Sequence, residues 1–189
     1  MAATPFTVAA LEWRPYVPPI DQATATAEQR TALSVTPSNT KVSDYVLVLA
    51  HDAQSLTERT PLFNGIMYAP GGLSRAEREL GALAASVVNR CVYCASVHAR
   101  RFNELTKTTD VVAEIYAHET GARLDARQQA IFDYSVRLSL CPAQADATDI
   151  DRLRGAGLSD LQILDLTHSA AIFGWANRLM HTLGEPIDP

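Results

Sequence analysis

The stretch "LSRAERELGALAASVVNRCVYCASVHARRF", residues 73–102, decides the class of the fold. Ser74 followed three residues later by Glu77 is a capping box, in which hydroxyl and carboxylate each accept an N–H that the first turn of a helix leaves open. Behind it the run to Val88 is rich in Ala, Leu and Val and shows no strand-like alternation, so the spacing predicts a helix from Ser74. Asn89 is a residue type that caps helices; it predicts a break there and a second helix starting close to Cys91. On that second helix Cys91, Cys94 and His98 lie three and seven positions along and share one narrow stripe.

The same kind of start recurs. "LSDLQILDL", residues 158–166, places Ser159 before Gln162 as a second capping box. With one residue of slippage, Glu79 falls on Asp165 and Cys91 on Asn177. The second copy then reads Asp165, Asn177, Met180 and Gly184 where the first reads Glu79, Cys91, Cys94 and His98. This suggests an internally duplicated helical unit whose second half lacks the thiols. Elsewhere Ser43 is expected to cap a helix over "DYVLVLAHDAQSL" and Asp110 one over "VVAEIYAHE". Asp125, with Gln128 behind it, is expected to cap "ARQQAIFDYSVRLSL", which Pro142 ends. The apolar run "YVLVLA" has strand propensity, but it continues at helical spacing, and no segment alternates convincingly as a strand. The class is all-α. Pro5, Pro15, Pro18, Pro19 and Pro37 exclude long helices near the start. Residues 1–42 are therefore expected to form a Pro-rich arm over the domain or over a neighbouring subunit, with one short helix near Ala27 to Leu33, and residues 43–189 the helical domain.

A chain of 189 residues with 47% hydrophobic content has room for one well-buried domain. The formal net charge is -5, the two signs are interspersed and no Lys/Arg block occurs, which speaks against nucleic acid or an anionic membrane as partner. "MAATPFTVAALEW" has no basic n-region and no later segment approaches a membrane span, so the expected location is the cytoplasm. There thiols stay reduced unless redox chemistry is their function. The third thiol, Cys141, is expected to be a buried small hydrophobe.

Three readings compete for the Cys-Cys-His stripe. A thiol in a first helical turn meets the positive end of the helix dipole. With an imidazole nearby, its pKa falls from about 8.5 toward neutrality, which supplies the thiolate that attacks peroxides and disulfides. The C-x-x-C spacing lets one sulfur resolve what the other has attacked. A zinc site normally closes with four ligands; no second pair follows at finger spacing, although His51, His118, His168 or His181 could add one from afar. Two buried thiols with a core-facing histidine would be purely structural. Redox chemistry is favoured, without metal or cofactor. Of the carboxylates on the preceding helix, Glu77 is assigned to the cap. Glu79 lies one turn in, where a lone Glu would be a solvent-facing charge or half of an i,i+4 pair.

Glu79, Cys91, Cys94 and His98, spaced E-x11-C-x-x-C-x3-H, resemble the active-site motif of the alkylhydroperoxidase AhpD-like proteins of the carboxymuconolactone decarboxylase superfamily. The likeness is to the peroxidase-related group in particular, and "LSDLQILDL" and "FGWANRLMHTLG" extend it over about residues 43–184. The resemblance implies an all-helical, often duplicated fold assembled as trimers or hexamers, and an enzyme that reduces hydrogen peroxide or organic hydroperoxides. It implies that Cys94 attacks the hydroperoxide, that Cys91 condenses with the resulting sulfenic acid, and that His98 and Glu79 relay the proton. The helix-terminus argument instead makes Cys91 the more acidic thiol; His98, one turn beyond Cys94, favours the order that the resemblance implies. Tyr93 stands between the cysteines where the best-studied members carry a histidine, and a phenol does not shuttle protons near neutrality. A dithiol or lipoyl-bearing protein is the implied reductant. Two rivals remain: a redox-sensing oligomer without turnover, and the lactone decarboxylation that names the superfamily, whose decarboxylase members generally lack the C-x-x-C.

Overall fold

The computed structural model describes residues 4–34 and 42–187. Its contacts divide the chain into two compact units, residues 11–69 with 179–189, and residues 1–10 with 70–178.

In the first unit, strand β1 (Glu12–Pro15) pairs antiparallel with β2 (Gly184–Ile187), Trp13 opposite Pro186. This ribbon is absent from the sequence reading because each strand has only four residues and includes a proline, too short for alternation to register. Trp13 is buried, donates its indole N–H to the Met180 carbonyl at 3.2 Å, and meets the Tyr45 ring edge-on. A Cβ on Gly184 would fall 2.3 Å from the Trp13 ring, so glycine is what lets β2 approach. The short helix expected in the arm is α1 (Ala27–Ala32), closed by a Thr26/Gln29 capping box. Ser43 caps α2 (Asp44–Leu49) as expected. The helix does not run on through "AHDAQSL", because Asp52 accepts the Ser55 N–H at 3.0 Å and opens a separate helix, α3 (Ala53–Tyr68). Ala32, Ala50 and Leu56 form the buried centre of this unit.

The second unit is built from α4 (Arg75–Val88), α5 (Val92–Thr106), α6 (Asp110–His118), a 3-10 turn at Glu119–Gly121, α7 (Ala126–Ser139), α8 (Ala147–Gly155) and the part of α9 (Asp160–Leu183) that ends at Arg178. The protein is all-α apart from the small ribbon. Both capping boxes form: Ser74 and Glu77 exchange bonds of 3.1 and 3.3 Å, Ser159 and Gln162 bonds of 2.9 and 3.3 Å. Asp125 caps α7 as expected. Asp110 does not cap α6; Thr109 holds the cap position without a side-chain bond, and Asp110 is the first helical residue, where its charge faces the positive end of the dipole. Cys141 is exposed, not buried, because α7 ends at Ser139 and the thiol sits in the following turn, before a cis bond to Pro142.

Helix α4 lies inside this unit. Leu80, Leu83, Ala84 and Val87 join Ala95, Ala99 and Phe102 of α5, Ile131 and Phe132 of α7 and Leu166 of α9 in one core. Phe6 packs on that core, stacked on Tyr116 with ring centroids 5.5 Å apart. The break between α4 and α5 falls where it was expected, but Asn89 closes α4 rather than opening α5. Arg90 turns the chain with φ 56, and Cys91 is the residue that begins α5. The guanidinium of Arg90 lies 4.5 Å from the Phe6 ring centroid, donates to the Thr4 carbonyl at 3.4 Å and pairs with Glu119 at 2.5 Å. Helix α9 has no such break: it continues through Asn177, the position that aligns with Cys91. Asp165, the counterpart of Glu79, accepts from Arg78 at 3.0 Å and from the Leu73 N–H at 2.9 Å.

Candidate active site

The four residues singled out in the sequence are all buried, between 2% and 7% exposed. Glu79 faces α5 because it lies on the inner side of α4, in line with Leu80 and Leu83 in the core. Its Oε2 is 2.5 Å from Nδ1 of His98, and its Oε1 accepts from Nε of Arg75 at 2.8 Å. Both carboxylate oxygens are thus held, one from its own helix and one from α5. Cys91 and Cys94 are reduced, with their sulfurs 2.7 Å apart. The two pairs are linked through α5: Cys94 and His98 are four residues apart, neighbours on a helix face, and helical side chains lean back toward the N-terminus, which takes the imidazole toward Cys94. The Phe173 ring of α9 closes over His98 edge-on at 4.0 Å between centroids. Tyr93 is half-buried. Among the described residues no group of three or more His, Cys, Asp or Glu side chains is arranged to hold a metal ion.

The electrostatics set the two thiols apart. A hydrogen bond from the Cys94 thiol is the largest influence on Cys91; with the Cys94 backbone N–H and the Asn177 amide it outweighs burial and holds the Cys91 thiol below its ordinary range. The same contact, together with burial and the neighbouring negative charge, pushes Cys94 well above its ordinary range. The direction, Cys91 the more acidic of the two, agrees with its place at the helix start. Burial pushes the Glu79 carboxyl up, but His98 and Arg75 together outweigh it and hold it below the usual carboxylate range.

Two neighbours lay outside the sequence reading. Arg75 stands four residues before Glu79 and was available from the i,i+4 rule, once Glu79 was taken as buried. Asn177 is fully buried and hydrogen-bonds Asn89 and Ser86. Its alignment on Cys91 was visible; its contacts at the end of α4 were not.

A helical domain whose inner helix brings a carboxylate to the histidine of a C-x-x-C-x3-H helix resembles the AhpD-like proteins. Residues 54–135, which include all four site residues, match the model of the carboxymuconolactone decarboxylase family. That match and the likeness to solved structures support an AhpD-like protein of the carboxymuconolactone decarboxylase superfamily. It is similar in structure to the alkylhydroperoxidase AhpD core of an uncharacterized peroxidase-related protein from Ralstonia eutropha JMP134. The TM-score is 0.77 at 25% identity, over 89% of this chain and 90% of that one. An uncharacterized peroxidase-related protein from Silicibacter sp. TM1040 gives 0.74 at 24% identity, over 92% and 94%. The debrominase Bmp8 gives 0.74 at 18% identity, over 89% and 90%, a likeness of fold. No curated protein sequence matches the chain.

Proposed function

We propose that the protein is a thiol-dependent peroxidase that reduces hydrogen peroxide or organic hydroperoxides through a Cys91–Cys94 disulfide. The observation that carries this reading is the buried hydrogen-bonded series Arg75, Glu79 and His98, with a reduced cysteine pair that ends one helical turn before His98 on the same helix. Cys94 attacks the peroxide oxygen distal to the organic group; the O–O bond breaks, the alcohol or water leaves with a proton, and Cys94 becomes a sulfenic acid. The Cys91 sulfur then displaces hydroxide from it, which leaves as water, and an external dithiol supplies the two electrons and two protons that restore the pair. His98, oriented by Glu79, accepts the proton of Cys94 and returns it to the leaving oxygen.

The greater acidity of Cys91 bears on the order of attack: it favours Cys91 as nucleophile, whereas His98, one turn beyond Cys94, favours Cys94. Single-turnover oxidation of Cys91→Ser and Cys94→Ser tests the order. Cys91→Ser is expected to give one burst and a trapped sulfenic acid on Cys94, and Cys94→Ser no burst. The reverse result would exchange the two roles; no burst in either variant, and no turnover of the wild type with a dithiol, would remove the peroxidase reading.

A further inference from the structure

We propose that Arg75 is a positioning residue of the relay: its guanidinium, fixed on one oxygen of Glu79, keeps that carboxyl ionised, so that His98 holds its hydrogen on Nδ1 and offers Nε2 as the base. The inference deepens the reading above and takes its catalytic meaning from it, but its central test needs no peroxide.

Helix stability does not account for this ion pair. Arg75 is the first residue of α4, where a cation meets the positive end of the dipole. An arginine four residues before a glutamate is also the less favourable order of an i,i+4 pair. The acidic residue that suits the helix start, Glu77, is already in the capping box. What the order achieves is reach: helical side chains lean toward the N-terminus, so Glu79 leans back onto the turn that carries Arg75.

The contacts divide the carboxylate between its two partners. Nε of Arg75 donates to Oε1 at 2.8 Å and a terminal nitrogen of the same guanidinium converges on that oxygen, while Oε2 lies 2.5 Å from Nδ1 of His98. An ionised carboxylate only accepts, so the hydrogen between Oε2 and Nδ1 belongs to the ring, and Nε2 is its acceptor. A second proton, whether it settles on the carboxyl or on the ring, puts hydrogen on Nε2 and ends its use as a base. Arg75 opposes that proton: the cation, the carboxylate and the neutral ring sum to no net charge, and a further proton would leave a positive one in a buried place. Burial pushes the Glu79 carboxyl up, and His98 and Arg75 together hold it below the usual range. Around this set, Arg78, the next cation on α4, is engaged by Asp165 of α9 at 3.0 Å. Helix α9 meets His98 with the Phe173 ring, and α7 brings Ile131 and Phe132 to the core beside α4. Cys91 and Cys94 are the titratable groups that α5 adds.

The test follows the ring nitrogens of His98 by nuclear magnetic resonance across pH, in the reduced full-length protein with isotope-labelled histidine, with His98→Asn to assign the signals. On the alkaline side of the transition Nδ1 is expected to carry the hydrogen and Nε2 to be bare. Arg75→Gln and Arg75→Met remove the charge. Both are expected to raise the pH at which Nε2 gains its proton by about one unit or more, a tenfold loss of the base form at a given pH below it. Arg75→Lys returns the charge with a single donor and is expected to fall between them and the wild type. In peroxide turnover the acid limb of the rate profile should move by the same amount, which a loosened fold would not produce. If either neutral variant keeps wild-type helicity and its Nε2 titrates as in the wild type, the inference is overturned. An Arg75→Lys protein no closer to the wild type than the neutral variants overturns it as well. A shifted Nε2 titration in a protein that turns over no peroxide would leave the inference standing and remove the peroxidase reading alone.

Discussion

Replacing Glu79 by Gln removes one negative charge from between Arg75 and His98 and leaves the shape of the site almost unchanged. Breaking a buried ion pair by deleting one partner costs about 3–5 kcal/mol when the other charge is stranded. Here the stranding is partial. The Arg75 side chain is 25% exposed and can recover water, and an imidazole can be neutral while it donates its Nδ1 hydrogen to the new amide oxygen. A loss of about 2 kcal/mol is therefore expected, the range of hydrogen bonds to charged groups, and with it a melting temperature lower by about 4–8 °C for a chain of this size. Hydroperoxide reduction should fall more steeply, by about a hundredfold to ten-thousandfold, because the relay that removes the thiol proton loses its anchor. The deficit should shrink as pH rises and the thiolate forms unaided. Thermal melting and initial rates with a dithiol reductant from pH 5 to 9 measure both effects. A Glu79→Gln protein that melts and turns over as the wild type does at every pH would refute the relay and the burial argument together.

Acid should act on the same residue. The depressed carboxyl of Glu79 contributes stability that is complete above its unfolded value of about 4.3 and is lost as pH falls through the lower folded value. Urea midpoints are expected to drop less between pH 7 and pH 3 in Glu79→Gln than in the wild type. Peptide mapping after one equivalent of peroxide should find Cys91 linked to Cys94, while exposed Cys141 stays free and is the first thiol alkylated in the reduced protein. Gly184→Ala should destabilise the ribbon, since its Cβ would overlap the Trp13 ring at 2.3 Å; near-UV circular dichroism of the tryptophan and the urea midpoint report it.

What the sequence disclosed follows the range over which each signal acts. The boxes at Ser74 and Ser159 and the caps at Ser43 and Asp125 depend on residues two or three apart, and all of them form. Asp52 depends on the same kind of signal but was masked by the apolar run ahead of it, so one helix was read where two exist. The four-residue strands are joined by pairing between residues 12–15 and 184–187, and separations of that size leave no local pattern. In the site, the spacing of Cys91, Cys94 and His98 was readable on one helix. The coupling of Glu79 to His98 spans 19 residues and came only through the family resemblance. Asn177 lies further still, 88 residues from Asn89, and only packing brings it there. Cys141 shows the limit of composition: cysteines are buried on average, yet this one follows a helix end.

Arg90 adopts a left-handed backbone that a non-glycine residue occupies at a penalty of about 1 kcal/mol or more, and it sits directly before Cys91. What offsets that penalty is the grip on its side chain by Phe6, Thr4 and Glu119, two of which belong to the first six residues. Residues 4 and 6 are thereby tied to the turn that seats Cys91. Trimming through Phe6 should let Arg90 relax and blunt the acidity of the neighbouring thiol, with Glu79, Cys91, Cys94 and His98 themselves untouched; alkylation rates of the pair in a chain starting at Thr7 would reveal it, and a bulky fusion placed against Thr4 carries the same hazard.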